Sequence, residues 1–501
     1  MQLYDYTGGQ VSTILESMDQ TEILKAMEAG LMTGMQYNNM INNGGGLKVE
    51  SLDAVLKVLT NRLDQLVFMN EIPKQKIRNT VHAYNQLFKY GEDVGIFNQE
   101  GETPTETDSQ YRRKSAVTRF TGVTGQVTHP ALIAEYAGDM NMYTREVENK
   151  TTLLLTILDE VMITADSSCV PDEFDGIFRL HMLGVNEVDG TSTEGLSSEQ
   201  LLDNYFGNPA VIDAQGKVLS DALCEDAANV VVNVYNGTID RIISNPAVFS
   251  NYVKTYHEAK RVIVGLSGSV TGATMGQSVN TIDTQFGKIN IKNDKYFDRR
   301  KSITLSKKAT SPKAPLPPVK GADATAVTDV KTNFGNHAGS YGYAVTAKNR
   351  YGESAPVSLT TTALAVSTTQ SVDLQFTAGL GGAYEATCFV IYRTEANTAL
   401  SNTANYYPLF EVSVGMMTSG YDGADAGKVR DRNRIIAGTR SALVYYNDSQ
   451  INEYLQFQDT MKMDFAITSP SKRFAILNYG CPVLYQPAKI VRIVNIGTIG
   501  L

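Results

Sequence analysis

Tyr341-Gly-Tyr-Ala-Val-Thr-Ala-Lys-Asn-Arg-Tyr-Gly-Glu-Ser-Ala-Pro356 is the centre of a β-rich stretch, about Pro312 to Asp431, that interrupts what otherwise reads as one α/β protein. Alternation of Tyr341, Tyr343, Val345 and Ala347 puts one apolar face on a strand. Asn349 to Ser354 is a turn signal, with Gly352 available for positive φ and Pro356 starting the next extended segment. Thr/Ser/Val-rich stretches come next, then Ala386-Thr-Cys-Phe-Val-Ile-Tyr-Arg-Thr394. Short strands at this spacing suggest an antiparallel sandwich.

The Tyr-x-Tyr-x-Val-x-Ala run and its Asn/Gly/Glu/Ser turn resemble a fibronectin type III or bacterial immunoglobulin-like domain. The resemblance implies an adhesive or stabilising module, so the function is sought in the protein that hosts it.

The 501 residues suffice for roughly three domains, each able to bury a core. The net charge is −9, and no Lys/Arg block is longer than Arg112-Arg-Lys114. That argues against a dedicated nucleic-acid binder, which carries a basic face, while allowing a protein that encloses DNA without gripping it. Cys169, Cys224, Cys388 and Cys481 are too scattered for a sequence-local zinc motif and too few for a disulfide scaffold. They read as reduced thiols, mostly buried as small apolar groups. No apolar run approaches the roughly 20 residues of a membrane span, and Met1 to Gln10 has neither the basic start nor the apolar core of a signal peptide. A protein made and assembled in a cytoplasm fits these bounds.

Residues 11 to 70 read as helices around an Asn42-Asn-Gly-Gly-Gly46 break, either an arm reaching onto a neighbour or an ordinary helical subdomain. From about Tyr90 to Pro130 runs a polar excursion, acidic first (Glu100, Glu102, Glu106, Asp108) and basic second (Arg112, Arg113, Lys114, Arg119). Val117, Phe120, Val123 and Val127 among Thr and Gly suggest extended strands. Such a projecting loop has a poor core, so its order must come from something it lies against, or else it is a solvated hairpin with local charge pairs. Asn141 to Ala165 is the clearest helix, its apolar residues recurring at three- and four-residue steps. Pro171 and Gly176 mark its exit. From Leu201 to Arg300 helices and short strands alternate, and extended segments between Arg434 and Gly497 complete something begun before residue 308.

Glu173-Phe-Asp-Gly-Ile177, the Ile239 to Pro246 strand with its Asn-Pro turn, the Thr284-Gln-Phe-Gly-Lys-Ile-Asn-Ile291 strand pair and Ala488-Lys-Ile-Val-Arg-Ile-Val-Asn-Ile496 together resemble a tailed-bacteriophage major capsid protein of the Hong Kong 97 fold. The resemblance rests on order and spacing over nearly the whole chain outside the insert. It implies an α+β architecture: an N-terminal arm (1–70), an extended β loop (71–135), a peripheral domain with a long spine helix (136–199), an axial domain (200–308), the inserted immunoglobulin-like sandwich (309–433) and a C-terminal return (434–501). The extended loop would lie over the neighbouring subunit's spine helix, with the eight charged residues above as inter-subunit contacts. Gly265, Gly268, Gly272 and Gly276 would line a loop near the symmetry axis. The implied partners are copies of the same chain in hexamers and pentamers, a separate scaffolding protein, a portal, decoration proteins and enclosed double-stranded DNA bound without sequence preference; no membrane is implied. The implied location is the virion capsid, assembled in the host cytoplasm. Some members crosslink through a loop lysine; for Lys114 a noncovalent contact is the reading adopted.

Dedicated chemistry is not visible. The Gly265 to Gly276 spacing lacks the Lys-Ser/Thr of a phosphate loop. His82, His129, His181, His257 and His337 form no HxxxH or HxH pair. Gly352-Glu-Ser-Ala lacks the second glycine of a nucleophile elbow, and Asp422-Gly-Ala-Asp425 offers too few ligands for calcium. The expectation is a structural protein with no catalytic residue, metal or cofactor. Its rivals are an adhesive, carbohydrate-binding surface protein using the sandwich, and an enzyme with an accessory module.

Overall fold

The computed structural model describes residues 66–91, 97–134, 141–187, 192–256, 279–307, 311–467 and 469–497. The N-terminal arm before Leu66 and the Gly265 to Gly276 loop lie outside them. The chain divides into two compact units, residues 1–60 with 127–146, and residues 61–126 with 147–501. In the first, the described residues include a one-turn helix, His129–Ile133, with Pro130 in its opening turn. The second holds most of the chain and its main sheets.

A short helix α1 (Val67–Glu71) leads to β1 (Lys74–Lys76), β2 (Val81–Lys89), β3 (Gln110–Val117) and β4 (Arg119–Thr128). The long helix α2 (Met142–Thr164) buries Leu154, Leu158, Met162 and Ile163 along one stripe. Beyond it lie α3 (Ile177–Val185), α4 (Ser198–Phe206), β5 (Val211–Asp213) and α5 (Asp221–Asn229), α5 running into a π-helical turn at Val230–Val234. Then come β6 (Arg241–Ser244), α6 (Pro246–Tyr256), β7 (Thr281–Thr284) and β8 (Gly287–Asn293). After an inserted segment the chain returns as β20 (Arg440–Tyr445), the long hairpin β21 (Asn452–Asp464) and β22 (Ser471–Leu484), and β23 (Val491–Ile496).

The host is organised by a six-stranded sheet ordered β5-β23-β20-β6-β8-β7. Side chains alternate across a strand, so each strand feeds two cores. Ile242, Ala442 and Val444 pack with Val491, Ile493 and helices α5 and α6 on one face. Ile243, Leu443 and Tyr445 pack on the other with Phe68, Leu158, Met162 and Ile177. That second core also takes Tyr454, Val483 and Leu484 from a four-stranded sheet ordered β1-β21-β22-β4. Close approach demands glycine at Gly125 in β4, where a Cβ would stand 2.4 Å from Phe474 Cζ.

The insert contains β9 (Val319–Lys320), β10 (Thr325–Thr328), β11 (Gly339–Tyr341), β12 (Tyr343–Asn349), β13 (Gly352–Glu353), β14 (Val357–Ser358), β15 (Leu364–Val366), β16 (Gln370–Thr377), β17 (Cys388–Thr394), β18 (Tyr406–Ser413), a short helix α7 (Val414–Ser419) and β19 (Lys428–Asp431). One antiparallel sheet is ordered β10-β16-β19, with β9 also on β16; the other is β13-β12-β17-β18, with β14 also on β12. Val345, Ala347, Phe389, Ile391 and Val412 of the second meet Val372, Leu374, Phe376 and Val429 of the first in one core. The module leaves after β8 and returns as β20, and both of these strands pair with β6. The two host strands it separates in sequence therefore lie only about two strand spacings apart, roughly 10 Å, which is why the sheet tolerates the interruption.

Two strand readings differ from the structure. A strand at Val81–Lys89, ahead of the polar excursion from Tyr90, is not read from the sequence, and Arg434 to Thr439 is irregular, with the strand starting at Arg440. In the first case His82 and Gln86 break the apolar alternation; in the second Gly438, at φ 77°, turns the chain before it re-enters the sheet.

Candidate intersubunit surfaces

β2 and β3 form an antiparallel ribbon, in register from Val81 opposite Val117 to Leu87 opposite Tyr111. One face touches the body. Tyr84 meets Tyr485 edge-on with ring centroids 4.9 Å apart, and Gln86 donates to the Tyr485 carbonyl at 2.6 Å. The other face carries Val81, Leu87, Tyr111 and Val117, all exposed, with Tyr111 at 68%. These form two apolar cross-strand pairs, Val81–Val117 and Leu87–Tyr111, with Ala83, Asn85, Arg113 and Ser115 exposed between them on the same face.

At the ribbon's root, α1 is clamped by two buried carboxyl groups. Asp159 of α2 accepts from the Met69 amide at 2.7 Å, and Asp294 accepts from the amides of Phe68 (3.2 Å), Tyr296 (2.8 Å) and Phe297 (3.2 Å). Both side chains are fully buried. Burial, then the neighbouring Asp294 carboxyl, pushes Asp159 up to about 8, so the pair holds a proton at neutral pH. Glu71 anchors the same segment through Lys292 at 2.5 Å and through Arg241.

The charged candidates separate into groups. Glu100, Glu102, Glu106 and Asp108 are all exposed, as is Arg113. Arg112 and Lys114, candidates for contact with a neighbouring subunit, pair with Glu187 of the same chain, Arg112 also donating to the Glu187 carbonyl at 2.7 Å. Strand alternation is the reason: at even positions the side chains turn to the body, while Arg113 turns outward with Tyr111. Arg119 is half-buried at the start of β4, beyond the ribbon. On α2, Leu153 and Ile157 are exposed at 43% and 46%, one helical turn apart on one face.

The insert is fastened to the host by a network the sequence did not reveal. Ser197 caps α4 in a reciprocal box with Gln200, and the helix then presents Glu199 and Asp203 at i and i+4. Lys331 bonds both, at 2.8 and 2.6 Å. Arg432 reaches Glu199 at 3.1 Å and Asp422 at 2.9 Å; Arg434 joins Asp422 at 2.9 Å and also pairs with Asp203. Inside the sandwich Arg393, 1% exposed, pairs with Asp431 at 2.6 Å, its guanidinium 5.2 Å from the Phe334 ring and 5.0 Å from the Tyr341 ring. The outer side of the β12–β17 sheet is covered too: Ala344, Val390, Tyr392 and Tyr406 cluster with Leu305.

Residues 8–332 match the model of the SU10 major capsid protein family. Two relatives, the major capsid proteins of Staphylococcus phages S25-3 and K, are each 22% identical over 489 residues, covering 95% of this chain and 95% of theirs. Among solved structures, the capsid of a native GTA particle aligns over 92% of this chain and 99% of its own at 8% identity with a TM-score of 0.44. No described helix is long and apolar enough to cross a membrane. A ribbon with one face left uncovered suits a subunit made to be packed against others, and the match to the family model over most of the chain says which: the chain belongs to the SU10 major capsid protein family, the subunits of a phage capsid shell.

Proposed function

We propose that copies of this chain assemble as hexamers and pentamers of an icosahedral or prolate shell on the Hong Kong 97 plan, each ribbon lying across α2 of the neighbouring subunit. The carrying observation is the uncovered ribbon face, Val81, Leu87, Tyr111 and Val117, together with Leu153 and Ile157 on α2. Burying apolar side chains at roughly 25 cal/mol per Å2 supplies affinity. Arg113 on the ribbon and the acidic stretch from Glu100 to Asp108 supply orientation rather than strength. Packaged double-stranded DNA meets a chain of net charge −9 and is contained without sequence readout. Assembly in the host cytoplasm with scaffolding, portal and decoration proteins completes the reading.

The insert is read as an immunoglobulin-like domain on the outer surface, stabilising its own subunit. Supporting this are the two antiparallel sheets around one core and the ion pairs to α4. Negative-stain electron microscopy of the chain, alone and with its scaffolding partner, tests the proposal. Closed shells, tubes or flat hexamer sheets are expected from the wild type, and soluble capsomers or monomers from L87D/Y111D. Normal shells from that variant would overturn the role given to the ribbon.

A further inference from the structure

Two of the four cysteines, far apart in sequence, meet at the seam between insert and host. Cys169 lies in the turn after α2, its amide bonded to the Asp166 carbonyl at 3.1 Å. Cys388 opens β17, and Glu411 lies on β18 opposite Val390. Because side chains alternate along a strand, Cys388 and Val390 share a face, and register places Glu411 on it as well. That face is turned to the host, which supplies Cys169. One ligand atom from each of the three residues lies within 4.8 Å of the others, and Cys388 Sγ is 3.9 Å from Glu411 Oε2. Both cysteines are buried, at 2% and 0% exposure.

We infer that Cys169, Cys388 and Glu411 bind one soft divalent cation of the zinc class, joining the inserted module to its host. Zn–S bonds of about 2.3 Å and Zn–O bonds of about 2.1 Å place the ligand atoms of a tetrahedral site roughly 3.6–3.8 Å apart, against 3.9 Å between Cys388 Sγ and Glu411 Oε2 and no more than 4.8 Å for the others. Two thiolates select a soft metal over magnesium or calcium. With three protein ligands, the fourth position takes a water molecule. On binding, each S–H bond breaks as an S–metal bond forms, and both protons pass to solvent; nothing is oxidised or reduced. Two thiolates and a carboxylate carry three negative charges against the ion's two positive. Lys348 Nζ, 2.8 and 2.7 Å from the Glu411 oxygens, and Arg300, 3.7 Å away, offset the excess. Because binding releases both thiol protons, loading weakens as pH falls.

The test uses the full chain, purified under reducing conditions. Elemental analysis is expected to find about one zinc per chain, and exchange with Co2+ alone is expected to give thiolate-to-cobalt charge-transfer absorption in the near ultraviolet. The C224S/C481S variant should keep that absorption, because those cysteines are buried elsewhere. C388S should lose it, and E411Q should weaken cobalt binding by about tenfold or more. Circular dichroism confirms that each variant folds; if C388S does not, the wild-type metal content and the C224S/C481S control still decide. Absence of both zinc and the cobalt band in the reduced, folded wild type would overturn the proposal. So would a Cys169–Cys388 disulfide recovered by peptide mapping of assembled particles.

Discussion

The ribbon and the insert are both antiparallel β appendages of one host, yet they stand at opposite ends of self-sufficiency. In the insert, β12 and β17 are buried at every residue, facing the sandwich core on one side and the host on the other. In the ribbon, burial alternates along β2, half-buried inward and exposed outward. A two-stranded hairpin is marginal on its own in water, so the ribbon draws order from Tyr485 and Glu187 within the chain. An appendage with its own core carries its order within itself, whereas one without a core takes its order from whatever it lies against.

The largest effect is expected from L87D/Y111D. Charging the outer face should abolish shell formation in electron microscopy while leaving the monomer's circular dichroism and melting temperature nearly unchanged, because neither side chain is part of a buried core cluster. Next comes Arg393→Met in the insert. It removes a fully buried cation and leaves the Asp431 carboxylate with only the Tyr343 hydroxyl at 2.9 Å and the Asn433 amide at 2.8 Å as donors. A loss of about 3–5 kcal/mol in denaturant unfolding is expected.

A smaller effect is expected at the ribbon's root. The unfolded chain ionises Asp159 near pH 4, whereas the folded chain keeps its proton up to about 8. Between those values the unfolded state binds fewer protons, so stability falls as pH rises, at no more than about 1.4 kcal/mol per pH unit. Asp159→Asn should remove that slope, giving a higher melting temperature than wild type at pH 8 and a flatter profile from pH 5 to pH 8. His181 has the opposite sign. Buried between the Tyr205 hydroxyl (3.1 Å) and the Ile490 carbonyl (2.7 Å), it is lowered to about 3, chiefly by burial. The unfolded chain takes up that proton below about pH 6.5, so stability is lost as pH falls from there toward 3. Smallest is Lys331→Ala: the lysine is half exposed at the edge of the α4 network, and a denaturant midpoint nearly unchanged from the wild type is expected.

Much of this was legible where periodicity is strong. The spine helix and the Tyr343–Asn349 strand stand out because burial on one face, or on both, leaves an apolar signature. β2 was harder, since Val81-His-Ala-Tyr-Asn-Gln-Leu-Phe-Lys89 mixes polar and apolar residues on both faces: His82, Tyr84, Gln86 and Phe88 turn to the body, while Val81, Ala83, Asn85, Leu87 and Lys89 turn outward. Neither face gives the clean period-two signature by which a strand is read. Charge runs misled in another way: Arg112-Arg-Lys114 reads as one basic patch, but strand alternation sends its first and third members inward. The Cys169, Cys388 and Glu411 cluster and the α4 network join residues from distant parts of the chain, and no local pattern announces such meetings.

The flanking of β6 by both β8 and β20 has a consequence beyond tolerance of one insert. A position where the chain can leave and return about two strands apart is a graft point. A foreign domain whose own termini lie side by side meets the spacing of that point, but it would also have to replace the contacts that Lys331, Arg432 and the β12–β17 sheet make with the host.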